Sequence, residues 1–364
     1  MDLIGQHKET LDTPALILDL DVLQRNINKM VETIILKAKV GWRPHTKGMK
    51  IPELAKLCLV SGAHGITCAK LSEAEVMANS GIRDILVANQ IVGKTKIDRL
   101  VKNCKHSDIM VCVDNIENVK EINHFAKSKK VKPRLLIEVD VGMCRAGVLP
   151  GEPAVHLAKQ INALDHVQFA GLQTWEAHAL KIKDANKKKR AINKALELLI
   201  QTARQIREMG ISVDIISCGG TGTYWISAFK SGVTEIEAGG GIFCDIRYRK
   251  DFGVEHEYSL KVLSTVTSRP NVNRIICDAG FKTFGSYANE PELVGFGSPK
   301  SLKLSAEHGT ITLNKPNDFP KIGEKIEFIP GYSDSIVFLH DYMYGIRNNR
   351  IETIWPILGR GKLH

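Results

Sequence analysis

The sequence predicts a TIM (β/α)8 barrel with a C-terminal β-domain. Two observations carry this. Between about residues 40 and 241, eight short apolar segments alternate with stretches of helical periodicity, as parallel strands buried on both faces and their crossover helices should. From about residue 255 the helical period nearly vanishes, and apolar and polar residues alternate between turn residues, the pattern of a half-buried antiparallel sheet. A Rossmann sheet is the alternative for the first part, but no G-x-G-x-x-G follows an early strand. The expected domains are a barrel over 22–252 and a β-domain over 1–21 plus 253–364.

The elements follow in order. Residues 13–19 read as a compact strand, and Asp21 is positioned to cap a helix running to about residue 33, with Leu23, Ile27 and Met30 on one face. The strand precedes the barrel's first helix and is free to pair with the β-domain. Strand 40–43 stops at Pro44 and leads to a helix at about 51–61, with Pro52 in its first turn. Strand 65–69 precedes Ser72-Glu73-Ala74-Glu75, an S-x-x-E capping box for the next helix. Strands 84–89, 109–114 and 134–139 follow, the first two leading to helices near 94–103 and 116–127. Strand 167–172 precedes a long helix bearing Ile192, Leu196, Leu199, Ala203 and Ile206 at helical spacing. Strands 212–217 and 235–237 each end in glycines. In the last third, 341–347 and 350–357 form a hairpin around Asn348-Asn349.

The totals narrow the partners. The chain has 364 residues and a formal net charge of +10. The one dense basic run, Lys187 to Arg190, opens a helix and reads as a solvated face. With no zinc finger, no aromatic–basic interleaving and no basic tail, nucleic acid is not expected as a partner. The positive balance suits anionic small molecules. The eight cysteines include no C-x-x-C pair and sit mostly in apolar segments, as reduced, buried thiols of a cytoplasmic protein would. The first twelve residues are polar and charged, unlike a signal peptide. No apolar run approaches membrane-spanning length.

Two motifs carry chemistry. Arg43-Pro44-His45-Thr46-Lys47-Gly48-Met49-Lys50 places Lys47 just past the C-terminal end of the first barrel strand, the edge where such folds bind ligands. A lysine amine there can form a Schiff base with an aldehyde if burial or neighbouring positive charge favours its neutral form. Arg43, His45 and Lys50 are such neighbours. The second motif is Gly219-Gly220-Thr221-Gly222-Thr223, joined one strand later by Gly239-Gly240-Gly241. Glycine loops after strands seven and eight bring backbone N–H groups and threonine hydroxyls to a phosphate. Pyridoxal 5'-phosphate needs both features, its aldehyde taking the lysine and its phosphate the glycine loops.

On these residues, with Thr13-Pro14, Asp140-Val141-Gly142, Arg145-Ala146-Gly147, Gly171-Leu172-Gln173, Glu235 to Asp245 and Trp355-Pro356, the chain resembles the fold-type III pyridoxal-phosphate enzymes. It is most similar to the D-threonine aldolase, D-serine dehydratase and 3-hydroxy-D-aspartate aldolase family, alanine-racemase-like barrels with a β-domain. The resemblance implies a cofactor on Lys47, with Arg145 near its phenolic oxygen and Gln173 near its ring. Gly220, Thr221, Gly222 and Thr223, with Gly239 and Gly240, would hold the phosphate. His45 and Trp175 would flank the cofactor. A homodimer is also implied.

The chain departs from the family at the metal. Related chains place a His and a Cys or Asp two apart in the β-domain. Here the segment is Pro330-Gly331-Tyr332-Ser333-Asp334, so Asp334 is kept and Tyr332 replaces the histidine. A neutral phenol is a poor ligand for Mn²⁺, Mg²⁺ or Zn²⁺ beside imidazole, and His340 does not restore the spacing. The resemblance implies a lyase, an aldolase or dehydratase acting on a D-configured β-hydroxy amino acid through a Lys47 Schiff base; in relatives a metal polarises the substrate hydroxyl, and here Tyr332, as a catalytic residue, or a water held by Asp334 would have to do so. A racemase or epimerase using Lys47 and Tyr332 on opposite faces is the alternative. A pyridoxal-phosphate carrier is the third, although small carriers of this fold lack the β-domain.

Overall fold

The structure, a computed structural model, describes residues 3–297 and 299–364. The chain divides into two units. The first strand, β1 (Ala15–Asp19), belongs to the smaller one, and α1 (Leu20–Val31) carries the chain into the larger. The cap of α1 is Asp19, whose Oδ1 accepts from the amides of Asp21 and Val22, so the expected cap at Asp21 is displaced by two residues. A turn of π-helix, Glu32–Lys37, extends it.

The larger unit, 28–47 with 52–239 and 362–364, is the barrel. Its strands are β2 (Gly41–Trp42), β3 (Ile66–Cys68), β4 (Asp84–Val87), β5 (Asp108–Val113), β6 (Arg134–Glu138), β7 (Gln168–Gln173), β8 (Ile215–Cys218) and β9 (Glu235–Ile236). All the pairings are parallel, in the order β2-β9-β8-β7-β6-β5-β4-β3. The ring closes between β2 and β3, where His64 N donates to Trp42 O and Thr67 N to Pro44 O. Helices α2 (Pro52–Val60), α3 (Leu71–Asn79), α4 (Lys94–Asn103), α5 (Ile116–Lys129), α6 (Glu152–Asn162) and α7 (Ala185–Glu208) fill the crossovers. Leu86, Met110, Cys112, Leu136 and Ala170, from four successive strands, form one buried cluster, which is why those segments read as near-continuous apolar runs.

Two local expectations are corrected. Ser72 does not cap α3, whose cap residue is Lys70. The amide and hydroxyl of Ser72 both donate to His364 O, and a long-range bond has displaced the local one. The basic run at the start of α7 is not wholly solvated either. Lys188 is buried with its ammonium 5.0 Å from the Trp225 ring centroid, and burial pulls its pKa down to about 8.

In the smaller unit, β1 lies in a sheet ordered β13-β14-β11-β10-β1-β16-β17, and β15 also pairs with β10 and with β12. The added strands are β10 (Leu260–Asn271), β11 (Arg274–Cys277), β12 (Glu292–Leu293), β13 (Ser301–Leu304), β14 (Gly309–Thr312), β15 (Lys325–Ile329), β16 (Tyr342–Arg347) and β17 (Arg350–Pro356). β1 runs antiparallel to β10 and parallel to β16. Its side chains Ala15 and Ile17 pack with Leu11, Leu263, Ile346 and Ile351. The predicted β16–β17 hairpin turns on Asn348 and Asn349, both with positive φ, near +50° and +59°, as a type I′ turn requires. All eight cysteines are unpaired. Among the described residues, no helix is long and apolar enough to cross a membrane.

Candidate active site

The barrel separates a charged N-terminal edge from a glycine-rich C-terminal one. At the N-terminal edge Arg43 is buried, with Nε donating to Glu235 Oε1 at 2.9 Å and Nη1 to Asp84 Oδ1 at 2.6 Å. Glu235 also meets His64, and Asp84 also meets Arg134, which binds Asp108. Asp84, Asp108, Arg134 and Glu235 are each the first residue of their strand. Arg43 therefore balances carboxylates at the end where barrel residues serve stability. It is not the uncompensated cation beside Lys47 that the sequence suggested. Arg43 and His64 together hold the Glu235 carboxyl down to about 2 despite its burial. Lys50 is buried, with its backbone at φ +53° and its carbonyl accepting from Gly359 N.

At the other edge, β2 runs out through Pro44 into a 3-10 turn, Thr46–Gly48, that carries Lys47. His45 Nδ1 accepts from the Lys47 amide at 3.3 Å. Thr46 Oγ1 donates to Glu73 Oε1 at 2.9 Å and to Thr67 O. The turn is thus pinned by the two residues that precede the lysine, whose side chain is half-buried. The loop after β9 lies directly against it. A Cβ added to Gly239 would sit 2.1 Å from His45 O and 2.6 Å from His45 N, so only glycine permits this approach.

The loop after β8 is organised by Glu176, a buried carboxylate missed in the sequence. Its Oε1 accepts from the hydroxyls of Thr223 and Ser227, and its Oε2 from Gly219 N. Thr223 Oγ1 also accepts from Gly220 N, so this hydroxyl is spent on the shape of the loop. Trp175 covers Gly220: a Cβ there would meet its Cη2 at 2.2 Å. Gly222 and Gly239 are buried, and the amide of neither donates to a described backbone carbonyl. Such paired, unspent N–H groups suit an anion.

Gln173 ends β7. Its Nε2 donates to Glu237 Oε1 at 3.0 Å, and Ser217 Oγ donates to the same oxygen. Gln173 Oε1 is buried with no partner among the described residues. Burial pushes the Glu237 carboxyl up to about 7, Glu235 adding to the effect. Arg145 lies in the loop after β6, half-exposed, with Nη2 3.4 Å from Glu138 Oε1. Asp140 Oδ1 shapes that loop by accepting from the amides of Gly142 and Cys144.

The remaining predicted residues lie in the smaller unit. Gly240 opens a 3-10 turn, and a Cβ on it would meet the Tyr248 hydroxyl at 2.4 Å. Tyr332 donates its hydroxyl to Asp334 Oδ2 at 2.9 Å. A Cβ on Gly48, the residue after Lys47, would sit 2.5 Å from Asp334 Oδ1. Burial and the neighbouring Asp334 raise the pKa of Tyr332 well above the tyrosine range. Asp245 is buried, accepting from Ser333 N, Ser333 Oγ and Tyr248 N, and burial pushes it up to about 7. Asp245, like Glu176 and Glu237, gave no periodic signal. Each is one acidic residue among many until its burial is known.

A parallel barrel with a lysine turn after its first strand and glycine loops after its last two, joined to a mixed β-domain, defines an alanine-racemase-like enzyme. Residues 18–246 match the alanine racemase N-terminal domain, and residues 259–346 match the putative serine dehydratase domain. The chain belongs to the alanine racemase N-terminal domain family. It is 33% identical over 98% of its length to a D-threonine aldolase of Arthrobacter sp, covering 95% of that protein. It is 32% identical over 98% of its length to a 3-hydroxy-D-aspartate aldolase of Paracoccus denitrificans, covering 94%. The crystal structure of D-threonine aldolase from Filomicrobium marinum superposes with a TM-score of 0.95 at 30% identity, over 99% of both chains.

Proposed function

We propose that this chain is a pyridoxal-phosphate-dependent lyase, an aldolase or dehydratase, acting on a D-configured β-hydroxy amino acid. The observation that carries the reading is the contact of Gly239 with His45, which sets a glycine loop beside the turn of Lys47. The residues fit the cofactor. Lys47 would hold its aldehyde carbon. The amides of Gly222 and Gly239, with Thr221, Gly220 and Gly240, would hold its phosphate, and Thr223 would keep the loop in shape. Gln173, with its orphaned Oε1, and Trp175 would flank the ring, with Arg145 at the phenolic oxygen. When bound, pyridoxal phosphate supplies an electron sink conjugated to the substrate's Cα.

The chain's own groups do the rest. The Lys47 amine takes the Cα proton for elimination, or returns one to Cα after carbon–carbon cleavage. Tyr332 gives its one hydrogen to Asp334 Oδ2, so toward the substrate hydroxyl the phenol oxygen would act as an acceptor, that hydroxyl's proton passing to the phenol as the phenol's own passes to Asp334. Relatives matched over nearly the whole chain are aldolases, which supports the lyase reading over a racemase. The presence of a whole β-domain counts against a carrier.

The family's divalent metal does not fit these residues. The donor set is a neutral phenol already hydrogen-bonded to the one retained carboxylate. The nearest histidine in sequence, His340, is half-buried with Nε2 on Thr283 O. Family membership supports a homodimer, and eight unpaired cysteines support a reducing, cytoplasmic setting.

The test is reconstitution with pyridoxal phosphate followed by borohydride reduction and peptide mass analysis. The cofactor is expected on Lys47 alone. A separate, unreduced sample incubated with D-β-hydroxy amino acids should yield glycine plus an aldehyde, or a keto acid plus ammonia. Label on another lysine, or neither product pair, overturns the proposal.

A further inference from the structure

The inner face of the barrel changes character at its mouth. Leu86, Met110, Cys112, Leu136 and Ala170 cluster with Ala88 and Ile215, all of them on strands or at strand ends and none on a helix. They therefore lie on the side of the sheet turned away from the helices. Glu138 follows Leu136 by two residues and shares its face. Register pairs Glu138 with Gln173, and Gln173 with Ser217. Glu237 joins them through hydrogen bonds to both Gln173 and Ser217. All four residues are buried, Gln173 at 4% exposure. An apolar interior thus ends in a polar layer, and that layer belongs with Lys47 to the larger unit.

Within the layer the Gln173 amide is oriented by two acceptors. Its Nε2 donates to Glu237 Oε1 at 3.0 Å and, at 3.4 Å, to Thr174 O. Turning the amide over would set its oxygen against both. Glu237 is fixed in turn, its Oε1 accepting from the Ser217 hydroxyl at 3.0 Å and its carbonyl from His45 N, two residues before Lys47. Gln173 Oε1 is left a buried acceptor with no partner among the described residues. Such an atom costs stability unless a donor meets it. The phosphate and phenolic oxygen of pyridoxal phosphate are acceptors, matched above with the glycine loops and Arg145, and its aldehyde carbon is matched with Lys47. The polar atom that remains is the ring nitrogen. Neutral, it is another acceptor and would be repelled by Oε1. Protonated, it is a donor, and its hydrogen bond is charge-assisted.

We infer that Glu237 is a positioning residue for the cofactor: by holding Gln173 Nε2 it turns Gln173 Oε1 to the ring nitrogen of pyridoxal phosphate, which is bound in its protonated form. The inference rests on the pyridoxal-phosphate reading of Lys47 and deepens it. A protonated ring withdraws electrons from the substrate's Cα more strongly than a neutral one, so Glu237 strengthens the electron sink without touching a reacting atom. A carboxyl that only filled space would affect stability without singling out one atom of the ligand.

The test compares pyridoxal phosphate with its carbocyclic analogue, in which C–H replaces the ring nitrogen while the aldehyde and phosphate stay. Equilibrium binding to the wild type should favour pyridoxal phosphate by about tenfold or more, as one hydrogen bond to a charged group allows. Gln173→Leu and Glu237→Leu should bring the two ligands to within about threefold, by weakening pyridoxal phosphate alone. Glu237→Gln still offers an oxygen to Nε2 and should keep most of the preference. Nitrogen-15 NMR of ring-labelled cofactor should show a protonated nitrogen in the wild type above neutral pH, and a neutral one in Gln173→Leu. Near-UV circular dichroism certifies the fold of each variant, and the wild-type measurements need no variant. Equal binding of the two ligands by the wild type, a neutral ring nitrogen there, or a preference unmoved by both leucine substitutions overturns the inference. If the borohydride-reduced link is still found on Lys47, the cofactor reading survives that result. Absence of the link from wild-type Lys47 overturns both.

Discussion

Tyr332 and Asp334 are joined by a hydrogen bond of 2.9 Å, phenol to carboxylate, in the segment where the resemblance implies a metal-binding histidine and its partner. The phenol gives its hydrogen to the carboxylate and is itself held neutral. Activity should therefore survive EDTA, and added Mn²⁺ should change the rate by less than about twofold. Tyr332→His restores an imidazole at the spacing and should raise Mn²⁺ affinity at least about tenfold by calorimetry. Loss of wild-type activity in EDTA, regained with Mn²⁺, contradicts this.

Lys47→Ala should retain no pyridoxal phosphate after gel filtration and should lose activity by about a thousandfold or more. An absorbance band of bound cofactor in this variant would place the covalent link elsewhere.

Gly239→Ala puts a methyl group into the His45 backbone. Neither side can yield by a rotamer change, so the variant should be less stable by about 1–3 kcal/mol, measured by urea unfolding. It should also bind pyridoxal phosphate more weakly, since the loop must retreat from the Lys47 turn.

The stability of the chain should peak in mild acid. Glu237 and Asp245 have folded pKa values of about 7, above their ordinary 4.5 and 3.8. The folded state therefore holds protons that the unfolded state releases, and stability falls as pH rises from about 4 to about 7. Glu235, held near 2, acts oppositely and adds stability that disappears as pH drops from 4.5 toward 2. Thermal midpoints from pH 3 to 8 should show both limbs, and Glu237→Gln should flatten the upper one. A midpoint that rises steadily to pH 8 contradicts these assignments.

What the sequence made legible follows from the range of the interactions. The eight strands were readable because burial on both faces leaves an apolar run. The Asn348-Asn349 hairpin was readable because its turn is made by adjacent residues. Lys47 and the glycine loops were readable because strand ends and glycines are local features. Arg43 was misjudged because its partner Glu235 is 192 positions away, and no local pattern says toward which end of β2 its side chain runs. Ser72 was misjudged for the same reason, its acceptor being His364. Glu176 and Glu237 were invisible because a buried ion and a solvated one look alike in a sequence. Burial and unmatched hydrogen bonds are three-dimensional facts.

The placement of β1 bears on how the molecule is made. Its two sheet neighbours, β10 and β16, are encoded near the far end of the chain. A ribosome will have released every barrel strand before Leu16 can meet Met343. Throughout that interval residues 15–19 are an apolar ribbon with both edges bare, open to any passing strand. Chaperone dependence during expression, and aggregation of chains stopped short of residue 342, are the practical signs to look for.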